Sequence, residues 1–419
     1  MKILKAIFIL IFILQGNCAY SQYGWIHEYS GTGGLLTDIV FTNENTGWVL
    51  GLSGLIIKTT DGGITWQGQY TQYHDDYISA YFMNSNTGFL VGDMGYVYKT
   101  TNGGLNWSST YLSHHIFFQS IVFTDLNTGF CGGIFSHFLY KTTNAGVNWD
   151  SITIGQSQYI LDIKFVNNNI GYILNSSDTL KKSTNGGLNW SPIYAFNYAV
   201  GGLQFFDEQN GFANCSTPVD SGSSMLMRTT NGGVNWFTVD SSHTLNMISF
   251  TFRNENTGYA TFNTISENLI KKTTDGGHTW VSQYPSVNRT LRCIFFMNDM
   301  TGWVGGDFEQ IYKTTNGGEP LGIHELSNEE SANYSLSQNF PNPFNPSTKI
   351  EFSISKNNEF VRLTIYDVTG KQVEKLVEQQ MNSGSYFVDF NGDKFASGIY
   401  YYMLESNGFK ETKKMVLIK

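Results

Sequence analysis

Apolar and polar residues alternate along most of the chain in short runs separated by turn residues, and the pattern recurs about every 40 residues. In its first copy the runs are Leu36 to Thr42, Gly47 to Leu52, Leu55 to Thr60 and Thr65 to Tyr70. Because the side chains of a strand point alternately to its two faces, each run predicts a half-buried β-strand. One copy therefore predicts four short antiparallel strands.

Two turn signals recur seven times with this pattern. The first is Asp or Asn followed by two small residues, and it begins at Asp61, Asn102, Asn144, Asn185, Asn231, Asp275 and Asn316. The second is a glycine followed by an aromatic residue, at Gly47, Gly88, Gly129, Gly171, Gly211, Gly258 and Gly302. Small four-stranded sheets bury both faces when they pack around an axis, as the blades of a β-propeller do. We predict an all-β protein with a seven-bladed propeller over residues 22–318.

The seventh copy lacks its outer strand, because the chain runs from Gly318 into Glu319-Pro320 without the tryptophan found in the other copies. The segment from Trp25 to Tyr29 matches that missing strand and precedes the first copy by one repeat. We therefore expect the N-terminal strand to complete the last blade and to close the propeller, which leaves no unpaired sheet edge at that point.

The Asp/Asn turns suggest a common backbone geometry. We expect the side-chain oxygen to accept a hydrogen bond from the backbone N–H two residues on, while glycine supplies a positive φ. Because Ala145 replaces the first glycine of the third copy, we expect only the second glycine to be left-handed. The tryptophan that follows should pack between blades.

The N-terminus has the features of a secretory signal. Two lysines precede the apolar run from Ala6 to Leu14, and small residues flank the predicted cleavage site after Ser21. The apolar run is too short to span a membrane, and no later segment is longer. Residues 22–333 contain 25 acidic and 13 basic residues, which disfavours nucleic acid as a partner. The odd number of remaining cysteines, at Cys131, Cys215 and Cys293, argues against a disulfide framework.

The run from Thr59 to Trp66, which has a close counterpart at residues 100–107, resembles the Asp-box or bacterial neuraminidase repeat. It is more similar to the photosystem II assembly factor-like propellers. The resemblance covers residues 22–318 and implies a propeller fold. The photosynthetic role of that family needs partners in a photosynthetic membrane, so we do not expect it in a secreted protein.

A second domain follows the repeats. Residues 319–333 are polar and acidic and predict a linker, and residues 339–346 form a proline-rich loop. The alternation then predicts strands at Lys349 to Ser355, Val361 to Tyr366, Ser385 to Phe390, Gly398 to Leu404 and Lys413 to Lys419. Residues 334–419 therefore predict a small C-terminal β-sandwich.

This domain resembles the type A sorting domains of the type IX secretion system. The similarity lies in Asn339 to Ile354, the turn at 365–370, the run from Ser397 to Tyr401 and the ending at 414–419. It implies that the outer-membrane translocon reads the domain as an address and that the protein becomes extracellular or attached to the cell surface. An ordinary appended β-sandwich that binds a ligand is the alternative.

The arginine content argues against sialidase chemistry, which needs three convergent arginines to hold a carboxylate. The propeller has four arginines. Arg228 occupies the position that lysine fills in the other copies, and Arg253 lies in the turn between the first two strands. Only Arg289 and Arg292 remain, one too few for the clamp.

Other glycosidases need only two carboxyl groups. Asp93 and Asp307 lie in equivalent loops of blades two and seven, and Asp75 and Asp76 lie in the loop that leaves blade one. Exposed loop aspartates more often serve solvation, so a surface glycoside hydrolase is the alternative function here. We predict a ligand site in this sector, formed by Asp75, Asp76, Asp93, Arg289, Arg292 and Asp307.

No pattern indicates a metal site or a cofactor, because the histidines lack partners at metal-binding spacing and no phosphate loop is present. All nine tryptophans have structural positions in the repeat, so none is left as a sugar platform. Seven tyrosines near the blade-to-blade loops could serve instead, although most should pack between blades: Tyr73, Tyr77, Tyr111, Tyr159, Tyr194, Tyr198 and Tyr284. We therefore predict no catalytic residues and a secreted binding or scaffolding module for an extracellular glycan or protein, with its site among the variable loops.

Overall fold

The computed structural model describes residues 24–31, 33–114, 116–155, 159–216, 224–240, 246–264, 267–284, 287, 289–308, 310–318, 324–327, 333–357, 359–381 and 383–419. Every regular element among them is a β-strand, so the all-β prediction is confirmed. One compact unit covers residues 23–320, and the C-terminal one begins at residue 321. The predicted signal peptide, residues 1–21, lies outside the described residues.

The described strands of the first unit form seven antiparallel sheets of four strands each, which we call blades. The N-terminal strand is β1 (Gly24–Tyr29). Blades one to three contain β2 (Leu36–Phe41), β3 (Gly47–Gly51), β4 (Ile56–Thr59), β5 (Gln67–Gln69), β6 (Tyr77–Phe82), β7 (Gly88–Gly92), β8 (Tyr96–Thr100), β9 (Ser108–Tyr111), β10 (Phe117–Phe123), β11 (Gly129–Ile134), β12 (Phe138–Thr142) and β13 (Asp150–Thr153). Blades four to seven contain β14 (Ile160–Phe165), β15 (Gly171–Asn175), β16 (Thr179–Ser183), β17 (Ser191–Ala195), β18 (Val200–Phe205), β19 (Gly211–Ser216), β20 (Ser224–Thr229), β21 (Phe237–Asp240), β22 (Asn246–Phe252), β23 (Gly258–Asn263), β24 (Asn268–Thr273), β25 (Val281–Ser282), β26 (Leu291–Phe296), β27 (Gly302–Gly306) and β28 (Gln310–Gly318).

The seventh blade takes its fourth strand from the other end of the propeller sequence. Its strand order is β1-β28-β27-β26, and β1 pairs antiparallel to β28 from Gly24 opposite Gly318 to Tyr29 opposite Gln310. The first strands of successive blades contact one another in chain order, and β26 contacts β2. The last blade therefore packs against the first.

Stacked aromatic side chains join the blades. The aromatic residue of each Gly-aromatic pair stacks on the last Phe of the next blade's first strand, as Trp48 does on Phe82 with ring centroids 3.6 Å apart. A tryptophan of that next blade meets the same Phe edge-on, as Trp107 does Phe82 at 6.2 Å. In the seventh blade Trp25 of β1 provides this contact to Phe296. A side chain from the N-terminal strand thus completes the aromatic packing of the last blade.

The glycine of the Gly-aromatic pair is required by this packing. A Cβ atom on Gly47 would lie 2.4 Å from the ring of Phe41 in the same blade, and one on Gly88 would lie 2.3 Å from Phe82. Because Phe rings and backbone leave no space there, a larger residue would displace the ring that the neighbouring blade stacks on.

The Asp/Asn turns differ from the sequence prediction in two respects. Both small residues have positive φ, and Ala145 itself has φ 56°, so the expectation that only the second residue is left-handed was wrong. The side-chain oxygen accepts the backbone N–H four residues on, not two, as between Asp61 and Thr65 at 2.9 Å. Thr59 Oγ1 accepts the N–H of Gly63 and donates to Asp61, so the turn is held from both ends.

The C-terminal unit is a sandwich of two four-stranded sheets. Its strands are β29 (His324–Ser327), β30 (Ser335–Leu336), β31 (Ser347–Ile354), β32 (Glu359–Tyr366), β33 (Gln372–Met381), β34 (Gly384–Asn391), β35 (Gly398–Ser406) and β36 (Phe409–Leu417). The sheet orders are β29-β34-β31-β30 and β33-β32-β35-β36. Alternate apolar residues such as Ile350, Leu363 and Leu404 are fully buried in the core.

The predicted linker, residues 319–333, needs a correction. Residues 324–327 within it form β29, which pairs with β34 at the edge of one sandwich sheet. The four-residue segment is too short and too polar to show strand alternation. Its strand conformation depends on backbone pairing with residues about 60 positions later in the chain, which a local pattern does not report. Strand β33 was also missed by the sequence prediction.

Candidate functional site

The loops of the propeller fall on two faces. One face carries the turns between strands one and two and between strands three and four of each blade, which are near copies of one another. The opposite face, which we call the loop face, carries the turns between strands two and three and the connections from blade to blade. These segments vary in sequence, and all six predicted ligand residues lie on or beside them.

Asp75 is buried, although it was predicted to be a loop residue exposed to ligand. Its Oδ1 accepts hydrogen bonds from the backbone N–H groups of Asp93 (2.7 Å) and Met94 (3.2 Å). Its Oδ2 accepts one from the Tyr98 hydroxyl at 3.1 Å. The carboxyl group therefore fastens the connection between blades one and two to the turn of blade two.

Asp76 and Asp93 continue this network. The Asp93 carboxylate accepts the backbone N–H of Asp76 at 3.0 Å, and the Asp76 carboxylate accepts that of Ser53 at 2.6 Å. Three of the predicted ligand residues thus hold three loop segments together. The carboxylate oxygens of Asp75, Asp76 and Asp93 are therefore occupied by hydrogen bonds within the protein.

Burial dominates the electrostatics of this network. Desolvation, and then the neighbouring Asp93, raise the pKa of Asp75 to about 7. Desolvation also raises the pKa of Tyr77 to about 12.

The three remaining candidates lie in blade seven. Arg292 donates through Nε and a terminal nitrogen to the two carboxylate oxygens of Asp307, the second bond measuring 3.1 Å. This two-point ion pair raises the pKa of the arginine. Arg289 lies over the ring of Phe308, 4.7 Å from its centroid.

The six residues therefore form two groups within the described chain. No hydrogen bond or ion pair between described residues joins the carboxylates of blades one and two to the residues of blade seven. Each of the four acidic residues accepts hydrogen bonds from neighbouring protein atoms. The six residues lie on or beside the loop face, and most of their charged groups are engaged with other protein atoms.

A different part of the loop face exposes aromatic side chains. Phe135, in the turn of blade three, is 57% exposed and meets Phe117 at 5.1 Å and Tyr159 at 5.8 Å between ring centroids. Tyr111, at the end of β9, is 41% exposed and lies 5.1 Å from the ring of His114. We call Tyr111, Phe117, Phe135 and Tyr159 the aromatic strip.

Sequence reasoning found only half of the strip. Tyr111 and Tyr159 were among the seven candidate tyrosines, whereas Tyr77 of that set is buried. Phe117 and Phe135 were missed because phenylalanines next to apolar strands resemble core residues. Alignment of the turns between strands two and three would have identified Phe135 as a turn residue, because it occupies the position of Ser53 in blade one.

The structure shows no group of three His, Cys, Asp or Glu side chains arranged to hold a metal ion within the residues it describes. The three cysteines that it covers are free and buried, and burial raises the thiol pKa of Cys131 well above its usual value. A helix long and apolar enough to cross a membrane is also absent from the described part of the chain.

A family profile described as photosynthesis system II assembly factor YCF48 matches residues 20–157 and 141–288, which together make up more than half of the chain. The chain belongs to this YCF48 family. A second profile, the secretion system C-terminal sorting domain, matches residues 338–419. This YCF48-family propeller is therefore a type IX secretion cargo, exported to the cell surface or the extracellular space. No match was found among curated proteins.

Solved structures support the propeller fold of this YCF48-family chain. YCF48 from Cyanidioschyzon merolae is 20% identical with a TM-score of 0.58, over 69% of this chain and 98% of that one. YCF48 bound to a D1 peptide is 18% identical with a TM-score of 0.58, over 70% and 97%. A GH74 enzyme from Niastella koreensis is 11% identical with a TM-score of 0.57, over 95% and 75%. At these identities the likeness concerns the fold.

Proposed function

We propose that this secreted propeller is a non-catalytic module that binds an extracellular ligand through its loop face. The proposal rests on the hydrogen bonds and the ion pair that occupy the carboxyl groups of the candidate acidic residues. Asp75, Asp76 and Asp93 accept backbone N–H groups of the loops, and Asp307 is held in a two-point pair with Arg292.

A glycosidase needs two carboxyl groups on opposite sides of a bond that a substrate can bring between them. Asp75 is fully buried, so a substrate oxygen cannot reach it without opening the loop. Asp307 would have to leave Arg292 to act as a base or nucleophile, because both of its carboxylate oxygens accept hydrogen bonds from that arginine. These contacts favour a positional role for both carboxyl groups.

The loop face also has what a binding surface requires. Its segments differ from blade to blade on a repeated scaffold, and exposed aromatic side chains are concentrated on it. A YCF48 structure with a bound D1 peptide is known, which supports the idea that a propeller of this family can act as a binding module.

The second candidate function is a surface glycoside hydrolase. The raised pKa of Asp75, about 7, is the observation in its favour, because such a carboxyl group could act as a general acid near neutral pH. The fold likeness to GH74 enzymes is compatible with this alternative.

Incubation of the full chain with a panel of neutral and acidic polysaccharides, followed by an assay for reducing ends, tests the proposal. We expect no release of sugar, and we expect a glycan and protein array to detect binding. Hydrolysis that disappears in Asp93→Asn or Asp307→Asn, while the melting temperature is unchanged, would overturn the non-catalytic proposal.

A further inference from the structure

The four side chains of the aromatic strip lie on the loop face and each is more than one-third exposed. We propose that the strip is a binding site for an uncharged polysaccharide, with Phe135 at its centre. The inference rests on the binding function proposed above and specifies its ligand class. It places the ligand on blades two to four, whereas the charged candidates lie on blades seven, one and two.

The backbone at Phe135 is the first argument. Its φ is 64°, a left-handed conformation that disfavours a bulky residue by about 1–2 kcal/mol. Blade one has Ser53 in the same turn position with φ 60°. The Phe135 ring is mostly exposed, so it recovers little of that strain through burial. Strained residues that project side chains into solvent concentrate at functional sites.

Charge is the second argument. Residues 108–124, 126–140 and 151–161 contain no Asp, Glu, Lys or Arg, although the propeller as a whole is strongly acidic. The equivalent turns of the neighbouring blades carry Asp93 and Asp178, whose carboxylates accept the backbone N–H groups of Asp76 and Val200. A ligand on the strip therefore meets no unpaired ionic partner from these segments. An uncharged ligand suits this surface.

The arrangement of the rings is the third argument. Phe117, Phe135 and Tyr159 are in successive contact, and they belong to the first strand, the turn and the following blade connection. Such a row suits an extended ligand more than a compact one. Sugar rings present apolar C–H faces that can pack on aromatic rings, and hydroxyl groups that hydrogen-bond to nearby polar side chains. His114, His137 and Ser176 are exposed beside the strip.

A protein partner fits the surface less well. Protein interfaces surround their apolar centre with a polar rim in which charged groups take part, and Arg is enriched in them. The three uncharged segments supply no arginine and no charged rim. We therefore commit to a neutral polysaccharide.

Affinity gel electrophoresis of the full chain tests the inference, with gels that contain a neutral β-glucan, mannan, xylan or α-glucan, or acidic alginate or polygalacturonate. We expect at least one neutral polymer to retard the protein. Phe135→Ala should raise the dissociation constant about fivefold to tenfold, whereas Phe135→Tyr should retain most of the affinity. Phe135→Gly should also lose affinity while raising the melting temperature, because it relieves the left-handed strain. That opposite pair of effects separates lost binding from misfolding.

The matched control is Phe308→Ala. Phe308 occupies the same turn position in blade seven, has φ 54° and is 49% exposed, but it lies beneath Arg289. Its replacement should leave retardation unchanged. Retardation by acidic polymers alone, or equal losses for both replacements, would overturn the inference. If no polysaccharide binds but a protein ligand does so through the loop face, the inference fails and the binding function stands. If no polysaccharide and no protein ligand binds, both the inference and the proposed binding function are wrong.

Discussion

Trp303 stacks on Phe41 with ring centroids 3.5 Å apart and an interplanar angle of 11°, although the two residues lie in the last and first blades. The pair repeats the contact between consecutive blades, such as Tyr172 on Phe205 at 3.7 Å and 2°. Trp303 Nε1 also donates to the carbonyl oxygen of Gly62 at 3.1 Å. The contact between the last and first blades is thus built from the same chemistry as the other contacts between blades.

Removal of the N-terminal strand should destabilise the propeller strongly. Deletion of residues 22–30 takes away β1 and leaves β28 with an unpaired edge. Trp25→Ala should have much of this effect, about 3–5 kcal/mol, because Trp25 is fully buried against Phe296. Trp66→Ala, in the same position of blade one but partly exposed, should have a smaller effect. Chemical denaturation measures both, and equal losses would contradict the role assigned to β1.

The turn of the third blade offers a stabilising substitution. Ala145→Gly should raise the free energy of unfolding by about 1 kcal/mol, because glycine adopts the observed φ of 56° without strain. The reverse change at the same position of blade four, Gly186→Ala, should lower it by a similar amount. The nearest atom to a new Cβ there is a carbonyl oxygen at 3.2 Å, so conformational strain dominates. Urea titrations measure the two changes, and a loss in Ala145→Gly would refute the explanation.

Stability should depend on pH through Asp75. Its pKa is about 7 in the folded chain and about 4 in an unfolded one, so the folded state holds the proton more tightly. Its contribution is fully present below about pH 4 and is lost as the pH rises through about 7, by up to about 4 kcal/mol. Asp75→Asn should flatten the decline in stability between these values. Melting temperatures at pH 4.5, 6 and 8 measure it.

Asp275→Asn provides a control of opposite sign. Hydrogen bonds from Thr279 lower the pKa of Asp275 to about 2, so its contribution is present above about pH 4 and lost as the pH falls. This variant should leave the decline from pH 4.5 to 8 as it is in the parent. A flattened profile in the control, or none in Asp75→Asn, would count against the assignment.

The boundary of the sorting domain can be tested by export. A reporter with an export signal and residues 321–419 should reach the outside of a type IX-competent cell. A shorter fusion from residue 334 lacks β29 and leaves β34 unpaired on one side, so its domain should melt at a lower temperature. Equal melting temperatures would show that β29 adds nothing to the sandwich. A reporter that stays in the periplasm would contradict the export role.

The propeller could be predicted from the sequence because the glycine and the aromatic residue of each Gly-aromatic pair recur at the positions where the blades pack together. Gly47 and Gly88 recur since a Cβ would enter the Phe41 and Phe82 rings. The site was harder to predict. The bonds of Asp75 to Asp93 and Tyr98 join segments about 20 residues apart, and no local pattern reports that a loop carboxylate is buried. Phe135 has a hydrophobic identity typical of a core, and only its turn geometry places it in solvent.

The pairing of β1 with β28 in the last blade also has a consequence for the synthesis and export of the protein. Among the described propeller strands β1 comes first in the chain and its partner β28 comes last, so a chain that ends before β28 cannot pair the two. The sorting domain begins only after β28, at residue 338 by its family match. A chain that ends before β28 would therefore have an open sheet edge and no sorting domain. Chain order thus ensures that the sorting domain is present only on chains whose propeller has been fully synthesised.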